Sequence, residues 1–303
     1  MQTQTPAEAH RFGYVALLGR PNVGKSTLLN RLVGQKLSIV SNRPQTTRSA
    51  VRGIVTRADA QAVIVDTPGF QTQHRSALNR AMNRSVTQSL AGTDAVLFVL
   101  EAPKLTAEDC RVLELLPAGV PVVAAVNKID RLADKGQLLP LMETLAAAHA
   151  FAEIVPVSAE RDLGVEELLT ALVKHLPEGE QLYAPDEITD ASERFLAAEL
   201  IREKLFRLLG EELPYASSVA IESFRDEPGL KRIHAVIYVE KASQKAIVIG
   251  RGGEKLKDVA TRARLEMERL FGTKVFLEVW VKVRGGWRDD ERWLRSHGLE
   301  GEG

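Results

Sequence analysis

The sequence predicts two joined domains of mixed class: a doubly wound α/β domain, then a smaller α+β domain. Three observations predict this. A length of 303 residues exceeds one ordinary domain of roughly 100 to 200 residues. Over 12–176, short β-branched or apolar runs alternate with stretches of helical period, the pattern of a parallel sheet wrapped by helices. Beyond residue 190 the order changes to a helix, two alternating strands, further helices and a last strand.

In the first domain the strand-like runs are 14–18, 51–55, 62–65, 95–100, 120–126 and 154–157, with helical patterns such as 25–33 and 165–175 between them. Sheets of this kind bind ligands at the carboxyl ends of their strands. The segment 178–190 loses periodicity, carries Pro185 and several acids, and reads as a linker. The expected division is therefore a domain over 11–177, a linker over 178–190 and a second domain over 191–298. The second domain reads as a helix over 192–209, strands over 218–224 and 232–240, a short helix near Ser243, a helix over 254–271 and a strand over 274–284. Ile233, Ala235, Ile237 and Val239 share one face, as do Val275, Leu277, Val279, Val281 and Val283, so each strand is expected to bury one side.

Hydrophobic residues at 45% and charged residues at 26% fit a soluble globular chain rather than a disordered or membrane one. The N-terminus shows no secretory pattern, no apolar run is long enough for a membrane span, and the single cysteine, Cys110, excludes a disulfide framework. Cytoplasmic residence is the expectation. The formal net charge is +0, but its distribution is uneven. Nine basic residues and no acid lie between Arg11 and Ala58, and seven basic against two acidic between Lys241 and Arg264. Both regions could receive anions, and some of these charges could equally be solvated faces.

Residues 19–26, GRPNVGKS, match G-x-x-x-x-G-K-[ST] directly after a strand and at the start of a helix. Gly19, Asn22, Val23 and Gly24 belong to a loop whose backbone amides can curl around phosphate. Lys25 can reach the β and γ phosphates, Ser26 can ligate Mg2+, and Thr27 continues the helix whose amino end favours anions. Asp66-Thr67-Pro68-Gly69 ends a strand, which turns a carboxylate toward the metal and the Gly69 amide toward the γ-phosphate. Asn127-Lys128-Ile129-Asp130 follows the strand at 120–126. Asp130 can accept from both the ring N–H and the amine of guanine, whereas adenine would leave its charge unpaired. Lys128 can lie along the base, Asn127 can tie this loop to the phosphate loop, and Ser158-Ala159-Glu160 can offer an amide to the guanine carbonyl. In the polar stretch Pro44-Gln45-Thr46-Thr47-Arg48, Thr47 is the favoured third metal ligand.

PNVGKST, QTTR, DTPG, NKID and SAE together resemble the loops of the Era family of bacterial GTPases. The likeness continues in VIGRGG at 248–253, which looks like the G-x-x-G loop of a KH RNA-binding module, and in GWRDDE at 286–291, similar to that family's C-terminal segment. The resemblance implies a P-loop GTPase domain followed by a KH-type domain, a GTP/GDP cycle with Mg2+, and binding of small-subunit ribosomal RNA near its 3′ end during assembly of the small ribosomal subunit. Lys245, Ile249, Gly250, Arg251, Gly252, Gly253, Lys255, Lys257 and Arg262 are the expected RNA contacts, with Arg264 nearby and Ile247 and Val248 as platform or core. A second G-x-x-G at 298–301 lacks supporting context.

Phe70 stands where Ras-like enzymes place a water-orienting glutamine, so slow intrinsic turnover is expected, with Lys25, Thr47, Gly69 and Asn22 as the catalytic set. In the resembling group an asparagine at the position of Asn22 often ligates K+, while turn formation is the plainer role. The chain is expected to act as a monomer. Two other readings are an RNA adaptor that scarcely turns over and a peripheral association with the inner face of the cell membrane through the stretch holding Trp287, Trp293 and Leu294. Asp289, Asp290 and Glu291 oppose the latter.

Overall fold

Residues 9–40, 46–69, 76–209, 213 and 215–296 are described by the computed structural model. The expectations for Phe70, Pro44, Gln45 and the glycines at 298–301 fall outside these residues. The described residues form two units. One comprises 9–37, 50–69 and 86–190; the other comprises 38–40, 46–49, 76–85 and the chain from 191 onward.

The first unit is built on a six-stranded sheet in the order β2-β3-β1-β4-β5-β6. Its strands are β1 (Arg11–Leu18), β2 (Val51–Thr56), β3 (Ala60–Asp66), β4 (Ala95–Glu101), β5 (Val122–Asn127) and β6 (Glu153–Pro156). Residues 95–100 of β4 are all 0% exposed, which requires cover on both faces and explains their unbroken apolar run. The helices are α1 (Lys25–Val33), α2 (Ala77–Leu90), α3 (Ala107–Leu113), α4 (Leu138–Ala148) and α5 (Val165–Val173). Val86 of α2, Val112 of α3, and Leu141 and Leu145 of α4 close over Val96, Phe98, Leu100, Ala124 and Val126. Residues 77–85 of α2 group with the second unit.

The sheet is parallel as expected except at one edge strand, since β2 runs antiparallel to β3. Three residues join them, far too few for the crossover of a dozen or more that a parallel pair needs. Segment 178–190, expected as a linker, is fastened to the first unit: the Ile54 amide donates to the Ile188 carbonyl at 2.8 Å, and Arg52 pairs with Asp190 at 2.8 Å. Gln61 adds hydrogen bonds to the backbone of Leu182 and Tyr183.

In the second unit, α6 (Glu193–Leu208) leads to β7 (Ser217–Glu227), β8 (Leu230–Val239), α7 (Ala242–Ile249), α8 (Glu254–Phe271), β9 (Lys274–Val283) and the short α9 (Glu291–Ser296). β7 and β8 form a hairpin, and β9 joins β8 in parallel after the crossover through α7 and α8. Helices α6 and α8 bury Ile233, Ala235, Ile237, Val239, Val275 and Val281, with Leu277 and Val279 partly covered. Val283 does not follow its strand: at the end of β9 it is 46% exposed, beyond the reach of the covering helices. Phe276 and Trp280 point to the other face and are exposed. Trp287, Trp293 and Leu294 are buried with Ala77, Leu78 and Met82 of α2. The apolar side of the expected membrane-facing stretch is therefore already occupied by this chain. Asp290 pairs with Arg284 at 2.8 Å and Glu291 with Arg80 at 3.3 Å, so those acids serve local pairing.

Candidate functional site

Four loops meet at one edge of the first sheet because β1, β3, β5 and β6 run in register-linked parallel order and end on the same side. After β1, the chain turns tightly through residues 19–24 into α1. Gly24 adopts φ 103°, and a Cβ there would lie 2.3 Å from the Asn127 side-chain nitrogen. Only glycine permits both the left-handed turn and that approach. Asn22 also takes a positive φ of 65°, which asparagine tolerates, so the turn-forming role expected as its plainer reading is real. Val23 is buried, and the helix carrying Ser26 and Thr27 begins at once.

Lys25 lies inside this loop. Its Nζ donates to the carbonyls of Gly19 at 2.8 Å and Arg20 at 3.0 Å. Burial pushes its pKa down to about 8, Asp66 raises it, and Arg20 lowers it further. A cation held among carbonyls in a dry loop is poised to exchange them for phosphate oxygens, whose charge it matches better. The loop is braced from α3, where buried Asp109 accepts from Arg20 Nε at 3.1 Å.

Ser26 Oγ donates to Asp66 Oδ2 at 2.7 Å, bringing a hydroxyl from α1 against a carboxylate from the end of β3. This hard-oxygen pair beside a phosphate loop fits Mg2+, which takes one or two protein oxygens and completes its shell from phosphate and water. Gly69 is close by: a Cβ on it would meet Pro21 Cγ at 2.9 Å, so the turn after Asp66 abuts the phosphate loop. Thr67 secures that turn by donating to the Leu17 carbonyl at 2.7 Å. Thr47 does not share the unit that holds this pair. It is buried in the segment that groups with the second unit.

Asn127 joins three loops. Its Nδ2 donates to the Val23 carbonyl at 2.8 Å, and its Oδ1 accepts from the Ala159 amide at 3.0 Å. The tie to the phosphate loop is as expected from the sequence, but the second bond revises the reading of Ser158-Ala159-Glu160. The Ser158 amide donates to Leu163 and the Ala159 amide to Asn127, whereas the Glu160 amide makes no hydrogen bond to another described residue. A guanine carbonyl would thus meet Glu160 directly, or share the Ala159 amide. Ser158 has a role that the sequence did not reveal. Its hydroxyl donates to Asp130 Oδ1 at 2.5 Å and aims that carboxylate. Lys128, at φ 65°, spans from the Asn22 carbonyl at 2.7 Å to Glu101 at 2.8 Å, and so links the phosphate loop to the end of β4. Glu101 also faces Arg20 at 3.6 Å, a support that only the fold could show.

The second unit carries a separate basic feature. Gly250, Gly252 and Gly253 turn the chain at φ 74°, 59° and 84° between α7 and α8. Lys245, Arg251, Lys255 and Lys257 surround this turn and form no salt bridge among the described residues. Arg262 differs, being held by Asp258 at 2.7 Å one turn away, and Arg264 pairs with Glu268 at 2.8 Å. Val248 is core, Ile249 is partly buried against it, and Ile247 is exposed, so only Ile247 and the rim of Ile249 could meet a base. A glycine turn with free cations before an 18-residue helix is suited to a phosphodiester backbone.

Comparison with known proteins agrees with both features. A family model described as a 50S ribosome-binding GTPase matches residues 14–128, and one described as a KH domain matches residues 212–288. GTPase Era of Nitrosomonas eutropha is 55% identical over 294 residues, covering 97% of this chain and 99% of that one. GTPase Era of Chromobacterium violaceum is 55% identical over 298 residues, or 98% and 100% of the two chains. Among solved structures, an Aquifex aeolicus Era variant bound to GDP and AlF4− matches with a TM-score of 0.92 at 38% identity, over 95% of this chain and 99% of that one. An Era complex with MgGDPNP and nucleotides 1506–1542 of 16S ribosomal RNA also gives 0.92 at 38%, over 96% and 99%. With this identity sustained from end to end through both units, the chain belongs to the Era family of GTPases.

Proposed function

We propose that the chain is a Mg2+-dependent GTPase that binds small-subunit ribosomal RNA near its 3′ end through the second unit and assists assembly of the small ribosomal subunit, with nucleotide state governing RNA binding. The observation that carries this is that one chain holds both a phosphate-loop cluster, in which Ser26 meets Asp66 and Asn127 ties the loop after β5 to the phosphate loop, and a glycine turn flanked by Lys245, Arg251, Lys255 and Lys257. The relative solved with MgGDPNP and a 16S RNA segment supports joining them.

Ser26 and Asp66 would hold Mg2+, with Thr47 as the residue that responds to the γ-phosphate. When bound there, the metal would supply charge neutralisation to the phosphates. Lys25 stabilises charge that develops as the bond to the leaving oxygen breaks, and the Gly69 amide orients the γ-phosphoryl group. Asn22 is proposed as a K+ ligand, tested by comparing GTPase rates in K+ and Na+ at equal ionic strength, where equal rates would remove the idea. The chain is proposed to act as a monomer in the cytoplasm. Among the described residues no helix is long and apolar enough to cross a membrane, and Trp287, Trp293 and Leu294 are buried within the chain, which leaves a peripheral membrane role without apolar contacts from that stretch.

The deciding experiment measures affinity for an RNA spanning the 3′ end of the small-subunit RNA with a GTP analogue and with GDP, together with multiple-turnover hydrolysis. Affinity that differs at least fivefold between nucleotides, and turnover that RNA changes, are expected. A ratio near one would leave two tethered but uncoupled modules.

A further inference from the structure

Arg48 follows Thr47 in the chain, yet it is one of the most buried polar residues, at 1% exposed. Its Nη1 donates to the Ser217 carbonyl at 2.8 Å and its Nη2 to the Tyr215 carbonyl at 3.3 Å, both at the entry to β7. The guanidinium carbon lies 5.7 Å from the centroid of the Trp287 ring, and Trp287 is itself 0% exposed. Burial first, then Arg202 and Arg288, pull the Arg48 pKa down to about 9, with Glu199 opposing, so the group stays charged at neutral pH. A buried cation is costly, and an apolar residue of similar volume would pack at less cost. What the planar fork adds is direction: two backbone carbonyls and one ring face together fix where residue 48 sits.

Trp287 holds a second segment from the first half of the chain. Ala77, Leu78 and Met82 pack in its cluster, the Ala77 amide donates to Asp289 Oδ1 at 3.2 Å, and Arg80 pairs with Glu291. One segment is continuous with Thr47 and the other follows Gly69 in the sequence, the two residues proposed above to meet the γ-phosphate. The short stretch after β9 therefore gathers segments that adjoin both of these residues in the chain.

We infer that Arg48, seated on Trp287 and the carbonyls of Tyr215 and Ser217, is the positioning residue that couples Thr47 to the RNA-binding unit. This rests on the nucleotide-governed RNA binding proposed above. The guanidinium does not touch nucleotide or RNA; it makes the position of Thr47 and the entry to β7 a single variable, so that fixing one biases the other.

The test uses the full chain with Arg48→Ala, Arg48→Met and Arg48→Lys. The RNA Kd is measured with a GTP analogue, with GDP and without nucleotide, alongside the GDP Kd. Expected are GDP affinity and nucleotide-free RNA affinity within twofold of wild type, while the ratio of RNA affinities between nucleotide states falls at least fivefold toward one. Arg48→Lys, which keeps charge but loses the fork, should fall between. Loss of nucleotide-free RNA binding in the alanine variant would indicate disturbed folding, and the Met and Lys variants then decide. A wild-type ratio retained in those variants overturns the inference alone. A ratio near one in the wild type itself overturns the parent reading and this one with it.

Discussion

Asp130, the residue proposed to read the base, is exposed, and the Ser158 hydroxyl engages one of its oxygens at 2.5 Å. That bond fixes the orientation of a carboxylate proposed to accept from the two donors of guanine. Replacing it by asparagine substitutes a donor for one acceptor, so Asp130→Asn should weaken GTP and GDP binding by about 2–4 kcal/mol while improving xanthine nucleotides, which carry a carbonyl in place of the amine. Competition binding with both bases checks this, and unchanged preference would remove Asp130 from base reading. Gly24 supplies a second prediction at this scale. Gly24→Ala combines a φ of 103° with a Cβ 2.3 Å from the Asn127 amide, so it should loosen the Val23 tie, destabilise the first unit by about 2–3 kcal/mol and weaken nucleotide binding. Urea unfolding and GDP titration would read both effects. Asp130 and Gly24 were legible because short motifs after apolar strands specify them. Ser158 as the group that aims Asp130, and Glu101 as the anchor of Lys128, were not, since 28 and 27 residues separate the partners and only the sheet brings them together.

Helix α8 and the turn before it show how far periodicity reaches at the scale of elements. Its extent and the alternation in β8 were evident from the sequence, because a buried face leaves a repeat of 3.6 or 2 residues. The antiparallel course of β2 follows from its three-residue connection to β3, too short for a parallel crossover. The apolar residues of α2, Leu78, Met82 and Val86, stand at four-residue spacing, which is a helical signal in the sequence. Exposure at the end of β9 was invisible, because alternation continues in the sequence past the point where the covering helices stop. For function, the unpaired cations around the turn give a quantitative expectation. Removing Lys255 and Lys257 together should weaken RNA binding similarly across sequences and reduce the slope of log affinity against log salt by about one to two. Arg262→Ala, whose charge is already held by Asp258, should change the slope less. An unaltered slope in the double variant would place the RNA elsewhere.

Taken as a whole, the molecule divides differently from its sequence, because one of its units is assembled from three stretches of chain: the described parts of 38–49, residues 76–85 and everything after 190. No periodicity can show this, since the joining contacts are between distant positions: Arg48 with Ser217, and Leu78 and Met82 with Trp287 and Leu294. A fragment cut at residue 191, where composition places the boundary, would keep all three tryptophans but lose the side chains that cover Trp287 and Trp293. Exposing that cluster costs the burial of Ala77, Leu78 and Met82 and leaves the Tyr215 and Ser217 carbonyls without Arg48, about 2–5 kcal/mol together. Tryptophan fluorescence during urea unfolding follows this unit selectively, because the first unit contains no tryptophan. The fragment 191–303 should unfold at lower urea than the same unit in the full chain, with red-shifted emission before the transition. Equal midpoints and equal emission would mean that the two borrowed segments contribute nothing to the fold of the RNA-binding unit, and that the boundary read from composition is also the boundary of cooperative folding.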